Sequence, residues 1–277
     1  MNFRWFFYQF RAHVKTYLLS LFPDRLLIKN KKFKNIHLGG RCFILGSGHS
    51  IANQDLSKLA NELVMTQNHF HSHKSISVIR PNYHVVVPKY QPQAFDDDWR
   101  QWLQTMKDNL PNNCQFFMGH NTKYLVDQMK IFGDAVSYIK TGFSDIFLKR
   151  APVDLTQPIM SIPTVLTECL AIAIYMGFKD IYLLGFDLDQ NIQLARGSDR
   201  NKIRFYGKSP ITANQYESEY ESDAAKSGED WYSMGVIWHQ CNLLKKTAEM
   251  NNVRILNATD GGILNVFDRV DYSELFK

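Results

Sequence analysis

Short apolar runs ending in glycine turns recur along this chain, with helical patterns between them. Cys42, Phe43, Ile44 and Leu45 form one such run, with no polar residue to face solvent, as an inner parallel strand covered on both faces requires. It leads directly into Gly46-Ser-Gly48. Leu56, Leu59 and Leu63 then keep helical spacing, which predicts a helix over residues 51–63. Residues 85–87 and 114–118 predict two further strands, and residues 95–106 and 122–132 two helices. After Pro163 the pattern strengthens. Residues 164–176 form a mostly apolar helix stopped by Gly177, residues 181–184 a strand that leads into Gly185-Phe-Asp187, residues 231–250 a helix and residues 253–256 a strand. This alternation predicts an α/β fold, a Rossmann-like, doubly wound and mainly parallel sheet. Ligands of such sheets bind beyond the carboxyl ends of the strands, where Gly46–Gly48 and Gly185–Asp187 both fall.

Residues 188–230 break the pattern and predict a lid insertion. The first half is basic (Arg196, Arg200, Lys202, Arg204, Lys208) and carries Tyr206, while the second is acidic (Glu217, Glu219, Glu221, Asp223). A basic lid with a tyrosine would neutralise a phosphate-bearing ligand as it closes. A solvated loop is the alternative.

The N-terminal segment predicts an amphipathic helix. Phe3, Phe7, Phe10, Val14, Leu18 and Leu21 share one face, and Arg4, Arg11 and Lys15 line its neighbour. Three cations interrupt the run, so it is not read as a membrane span, nor has it the h-region of a signal peptide. An in-plane helix on an anionic membrane surface fits the pattern, with a helix docked on the body as the alternative. The expected organisation is therefore a basic membrane-surface arm, residues 1–36, and a single α/β catalytic domain, residues 37–277, that carries the lid.

Charge sharpens this division. The arm holds eight Lys/Arg against the single acid Asp24, more than the whole chain's net charge of +5, so the body is near neutral. A body of that kind offers no broad basic surface, and nucleic acid is not an expected partner. Cys42, Cys114, Cys169 and Cys241 are far apart, without a Cys-x-x-Cys pair. No disulfide or zinc framework is expected, and a reducing cytoplasm fits.

The candidate chemistry centres on the first glycine turn, where a strand, a glycine turn and a helix start let backbone N–H groups face a phosphate. The third glycine of a dinucleotide fingerprint and the Walker lysine are both missing. His49 suits a general base or phosphate partner near neutral pH, or a simple helix cap. His69, His71 and His73 would share one face of a strand and could chelate a metal, but no carboxylate or cysteine accompanies them, so an ordinary polar strand or loop is expected. Asp96, Asp97 and Asp98 read as helix capping. Neither a metal nor a cofactor is expected.

Together, Phe43-Ile-Leu-Gly-Ser-Gly-His-Ser-Ile51, Asn68-His-Phe70, the segment from Leu166 ending Gly177-Phe-Lys-Asp-Ile-Tyr-Leu-Leu-Gly-Phe-Asp187, and Ile255-Leu-Asn-Ala-Thr-Asp-Gly-Gly-Ile-Leu264 resemble glycosyltransferase family 42. These are the bacterial sialyltransferases, within a wider group of polysaccharide-biosynthesis and 6-hydroxymethylpterin diphosphokinase-like proteins. The resemblance implies a CMP-sugar donor held by Ser47, Gly48 and Asn68, with Ser161 and Thr164 lining the pocket beside Gly185 and Asp187. It implies that Tyr206 binds the departing phosphate without a metal. The family's usual Asn in the turn is Ser47 here, and its Pro is His49. Its lid histidine has no clear counterpart, since the helix after the lid carries only His239. The activity implied is inverting transfer of a sialic-acid-like or other acidic sugar to a lipopolysaccharide or capsule glycan, or a glycolipid acceptor. The expected location is cytoplasmic, on the inner face of the cell membrane. The alternatives are a pterin-type diphosphokinase using ATP and a divalent cation, and a non-catalytic membrane-bound assembly protein. Whether the chain forms a homo-oligomer is left open.

Overall fold

Ten strands, β1 (Arg41–Leu45), β2 (Val64–Gln67), β3 (Tyr83–Val86), β4 (Gln115–Gly119), β5 (Val136–Ile139), β6 (Thr141–Phe143), β7 (Ile159–Met160), β8 (Asp180–Leu184), β9 (Arg254–Asn257) and β10 (Asp268–Arg269), organise the computed structural model. It describes residues 3–89, 93–161, 163–199, 202–206 and 229–277. Eight strands form one sheet in the order β10-β9-β8-β1-β2-β3-β4-β5, with every pairing parallel. β6 and β7 form a separate parallel pair. The chain builds outward from β1 through β2 to β5, then returns to the other side of β1 as β8. The topological switch point lies between β1 and β8, where an open α/β sheet leaves a crevice at its carboxyl end.

The apolar runs are explained by burial on both faces. Cys42 and Ile44 of β1 and Ile181 and Leu183 of β8 face one core cluster, while Phe43, Leu45, Tyr182 and Leu184 face another. Among the described residues, seven helices surround the strands: α1 (Phe3–Ser20), α2 (Ile76–Ile79), α3 (Asp96–Asn109), α4 (Lys123–Met129), α5 (Val165–Tyr175), α6 (Gln190–Ala195) and α7 (Glu229–Met250). All residues of α5 are buried, Glu168 included, and α7 packs against them. Trp99, Trp102 and Leu103 of α3 cover Phe116 and Met118 of β4 in a third cluster.

Three local expectations change. Residues 51–63 do not form a helix: two 3-10 turns, His49–Asn53 and Leu56–Leu59, bury the same apolar residues. Between them the Asp55 carboxylate accepts the Ser57 N–H at 3.1 Å, and such local side-chain bonding competes with helix propagation. His69 and His71 lie on a 3-10 turn, Asn68–Ser72, with His73 just beyond it, so the shared strand face does not exist. The acids of α3 occupy its first turn but do not cap it. Asp96 instead accepts the Tyr124 hydroxyl at 2.6 Å and pairs with buried Lys89 at 2.9 Å, and Asp97 pairs with Arg100.

The N-terminal helix docks by one face. Thr16 donates its hydroxyl to Gly142 O at 3.0 Å, and the rings of Phe6, Phe10 and His13 meet Phe147 edge-on. Tyr8, Tyr17, Leu18, Leu21 and Phe22 remain exposed. Among the described residues no helix is long and apolar enough to cross a membrane. Residue 36 marks no structural boundary, because Leu27, Asn30 and Phe33 are already buried in the body. Asn30 Nδ2 donates to Tyr138 O at 2.8 Å and Leu155 O at 2.9 Å.

Candidate functional site

At the switch point, three glycine turns close on one another. Gly46 N–H donates to Leu184 O and Gly48 N–H to Gly185 O, at 2.8 and 2.9 Å, continuing the β1–β8 ladder beyond the strands. Gly48 has an ordinary backbone (φ −63°), so its need for glycine is steric. A Cβ there would collide with the Asp187 carboxylate, with Cγ at 2.7 Å and Gly185 O at 2.8 Å. The space above Gly48 therefore holds an acid of this chain. Gly262, at φ +70°, approaches the other side of Asp187, and the Ile263 N–H donates to Asp187 O at 2.8 Å. Asp187 is 3% exposed.

Leu188 follows at φ +49°, a left-handed conformation that costs a branched L-residue roughly 1–2 kcal/mol. Past this reversal Asp189 lies on the same side as Asp187, and both converge on His49. Nε2 of His49 is 3.6 Å from Asp187 Oδ1 and 3.5 Å from Asp189 Oδ2. The Gln193 amide, on α6, donates to His49 Nε2 at 2.7 Å and to Asp189 Oδ2 at 2.8 Å. His49 Nε2 thus acts as the acceptor of that amide. Neither Asp187 oxygen nor the buried Ser50 hydroxyl makes a well-formed hydrogen bond, although Ser50 lies beside the carboxylate. Burial raises the Asp187 pKa, Ser50 and His49 oppose that, and Asp189 reinforces it. Among the described residues, His49, Asp187 and Asp189 bring three metal-binding atoms within 4.8 Å of one another.

Neighbouring strand β2 leads directly into Asn68, which has φ +45°. Its Oδ1 accepts the Val87 N–H at 2.9 Å, and its carbonyl lies 3.1 Å from His84 Nε2. Burial pushes His84 down to about 3, with His71 and His69 adding to the effect and the Asn68 carbonyl opposing it. Burial likewise pushes His69 to about 3, helped by His71 and Arg204, and His71 to about 4. These imidazoles are neutral near neutral pH.

The described part of the lid crosses this region. Arg204 forms a bridge with Gly48, and Phe205 N–H donates to Ser47 O at 3.3 Å. Phe205 packs on Phe70 and His73, and the Tyr206 ring lies 4.7 Å from that of His69. Arg204 donates to the Tyr206 hydroxyl at 2.8 Å. Arg200, Lys208 and the acidic half of the lid lie outside the described residues.

No protein-family model matches the sequence, and no curated protein does. Solved structures do resemble it. One is the sialyltransferase CstII from Campylobacter jejuni in complex with a substrate analogue, cytidine-5'-monophosphate, at 14% identity and a TM-score of 0.48 over 84% of this chain and 85% of that one. CstII in complex with trisaccharide acceptor and CMP gives 15% and 0.47, over 82% and 84%. The MAf glycosyltransferase from Magnetospirillum magneticum AMB-1 gives 15% and 0.49, over 92% of this chain but 40% of that one. At these identities the likeness concerns fold alone.

Of the residues singled out from sequence, Ser47, Gly48, His49, Gly185, Asp187 and Tyr206 meet at or beside the switch point, with Asn68 at the adjoining strand end. Three others do not join them through any hydrogen bond among the described residues. Thr164 spends its hydroxyl as the cap of α5, accepting the Leu166 N–H at 3.4 Å. Ser161 is exposed beside β6, its N–H on Phe143 O at 2.8 Å and its carbonyl held by Gln240 at 2.7 Å. His239 points outward from α7, 3.5 Å from Asp145 O, because its neighbour Gln240 is the buried residue of that turn. A cavity of about 460 Å³ also opens away from the glycine turns, between the ends of α1 and α7, lined by Tyr17, Phe143, Arg150, Val153 and Met250. The sequence reading missed Asp189, Gln193 and Gly262. The acids two residues apart after a strand-ending glycine were the available signal for Asp189.

Proposed function

We propose that the protein is a glycosyltransferase that moves a sialic-acid-like or other CMP-activated acidic sugar onto a bacterial surface glycan. One observation carries this reading. Short motifs far apart in sequence, which resemble the donor-binding motifs of glycosyltransferase family 42 in the same order, adjoin one another around the switch-point crevice. Inverting transfer needs a base for the acceptor hydroxyl and charge stabilisation for the leaving phosphate. His49, whose Nε2 accepts the Gln193 amide at 2.7 Å, would fill the first role once that amide moves aside. Arg204 and Tyr206, beside Gly48, suit the second. Because Asp187 fills the space over Gly48, the first turn would contact the donor through its backbone and through Ser47. Ser161 and Thr164 would line the donor pocket only beside their structural bonds to Gln240 and to the start of α5, and His239, which faces outward, is the weaker candidate for the base.

The exposed apolar side of α1 and the cations after it fit peripheral attachment to the inner face of the cell membrane, beside a glycan or glycolipid acceptor. A second reading, a diphosphokinase of the pterin type, draws on the carboxylates beside His49, since ATP-dependent transfer needs a divalent cation. Calorimetric titration with CMP, and separately with ATP and magnesium, distinguishes the two. CMP binding that is lost on Tyr206→Ala is expected. Binding of ATP with magnesium and none of CMP would overturn the glycosyltransferase reading, and binding of neither nucleotide would favour an assembly role.

A further inference from the structure

The His49, Asp187 and Asp189 cluster has no role that amino-acid packing requires. A protein interior strongly disfavours a carboxylate stripped of water and poorly hydrogen-bonded, yet Asp187 is 97% buried and makes no well-formed hydrogen bond, with Ser50 its one neighbouring donor among the described residues. It is held there by two glycines that yield their side-chain space to it and by a strained Leu188. Its oxygens face an imidazole lone pair and a second carboxylate. Three acceptor groups therefore point at one place. Two donor groups lie beside them: the Gln193 amide, which bridges His49 and Asp189 and does not reach Asp187, and Ser50, whose hydroxyl and N–H lower the Asp187 pKa without making a well-formed hydrogen bond to it.

We infer that His49 Nε2, one Asp187 oxygen and Asp189 Oδ2 bind a divalent cation of the manganese class. Metal–nitrogen and metal–oxygen bonds of about 2.1 Å set neighbouring ligand atoms about 3.0–3.4 Å apart. The separations of His49 Nε2 from the two carboxylates, 3.5 and 3.6 Å, are within a few tenths of an ångström of that, and all three ligand atoms lie within 4.8 Å of one another. One imidazole with two carboxylates suits manganese better than magnesium, which prefers an all-oxygen shell, and the absence of thiolate argues against a structural zinc. Three protein ligands leave positions for water or for a phosphate oxygen. A cation there would offset the two carboxylates that otherwise repel an anionic ligand at the strand ends. Binding requires the Gln193 amide to swing away and lets its place be taken.

The inference stands apart from the choice of donor but replaces the role of His49 as base, since a nitrogen that ligates the cation cannot also accept a proton; its test uses no nucleotide. Manganese is titrated into the full-length protein near neutral pH, and free aquo-manganese is followed by electron paramagnetic resonance. One cation per chain is expected. His49→Ala and Asp189→Asn, both at partly exposed positions, are each expected to weaken binding by about tenfold or more, with the metal-free melting temperature unchanged. Asp187→Asn is expected to abolish it, and Gln193→Ala to preserve or tighten it. No binding up to millimolar manganese, or binding indifferent to His49→Ala and Asp189→Asn, would overturn the site whatever the nucleotide titrations give.

Discussion

Glu168 sits in the middle of α5 with 1% of its surface exposed and neither carboxylate oxygen hydrogen-bonded. Burial alone pushes its pKa from the ordinary 4.5 up to about 8. Between those values the folded protein keeps a proton that the unfolded chain has released, so folding stability falls as pH rises through the window. At about 1.4 kcal/mol per unit, Glu168 costs about 3 kcal/mol at pH 7 and about 5 kcal/mol above pH 8, relative to low pH. Glu168→Gln has the shape of the protonated acid and cannot ionise. It should therefore match the wild type at about pH 5 and exceed it increasingly at about pH 7 and pH 9. Urea unfolding of both proteins at each pH measures this directly, with the denaturant slope as a check that the unfolded states compare. Two stability curves offset by a constant would refute the reasoning, because they would mean that Glu168 ionises with a normal pKa or has a partner.

Gly48→Ala should destabilise by about 1–3 kcal/mol through overpacking, and Asp187→Ala should relieve about 1 kcal/mol or more of that cost in a double-mutant cycle; strict additivity would mean that the two residues do not compete for space. Asn68→Ala loses the bond to Val87 and places Ala in the left-handed region, a cost of about 2 kcal/mol, of which Asn68→Gly should recover about half. Equal losses in denaturant unfolding would remove the backbone part of that account. For the arm, Leu18→Asp with Leu21→Asp, both more than half exposed, should release the protein from anionic vesicles without lowering its melting temperature. Binding of the wild type should weaken with salt as the Debye length falls toward about 8 Å; a variant that melts early would place that face against the body. Truncation tests should stop short of Leu27, since removing residues 1–30 would also delete the buried bonds of Asn30.

The sheet was legible because its strands are buried on both sides. A run such as Cys42–Leu45 must be apolar at every position when alternate residues enter different cores, and few other structures impose that pattern. The glycine turns were legible for the same reason, as breaks in such runs. Residues 51–63 were misread because 3-10 turns bury leucines at spacings close to those of a helix. The histidines at 69, 71 and 73 show the matching error for strands. Asn68, at φ +45°, turns the chain out of β2, and from that residue onward the period of two has no meaning. The arm's periodicity marked a helix correctly but not which side would be covered. Thr16, the polar residue that approaches closest to Gly142, is the one that docks.

Why Gly48 is a glycine could not be read locally at all. A Gly-x-Gly turn after a strand suggests room for a ligand's phosphate, yet the nearest occupant is the carboxylate of Asp187, which lies far along the sequence and reaches the turn only because β8 returns beside β1. Gly48 and Gly262 leave the slot that Asp187 occupies, while Gly46 and Gly185 let the two strand ends approach each other closely. That slot is costly, since it buries an unpaired carboxylate and strains Leu188. A fold can hold the ends of β1 and β8 together with far cheaper residues. The arrangement is best understood as serving whatever binds in the crevice: the acid is positioned there, and Gly48 and Gly262 are the positions that yield to it.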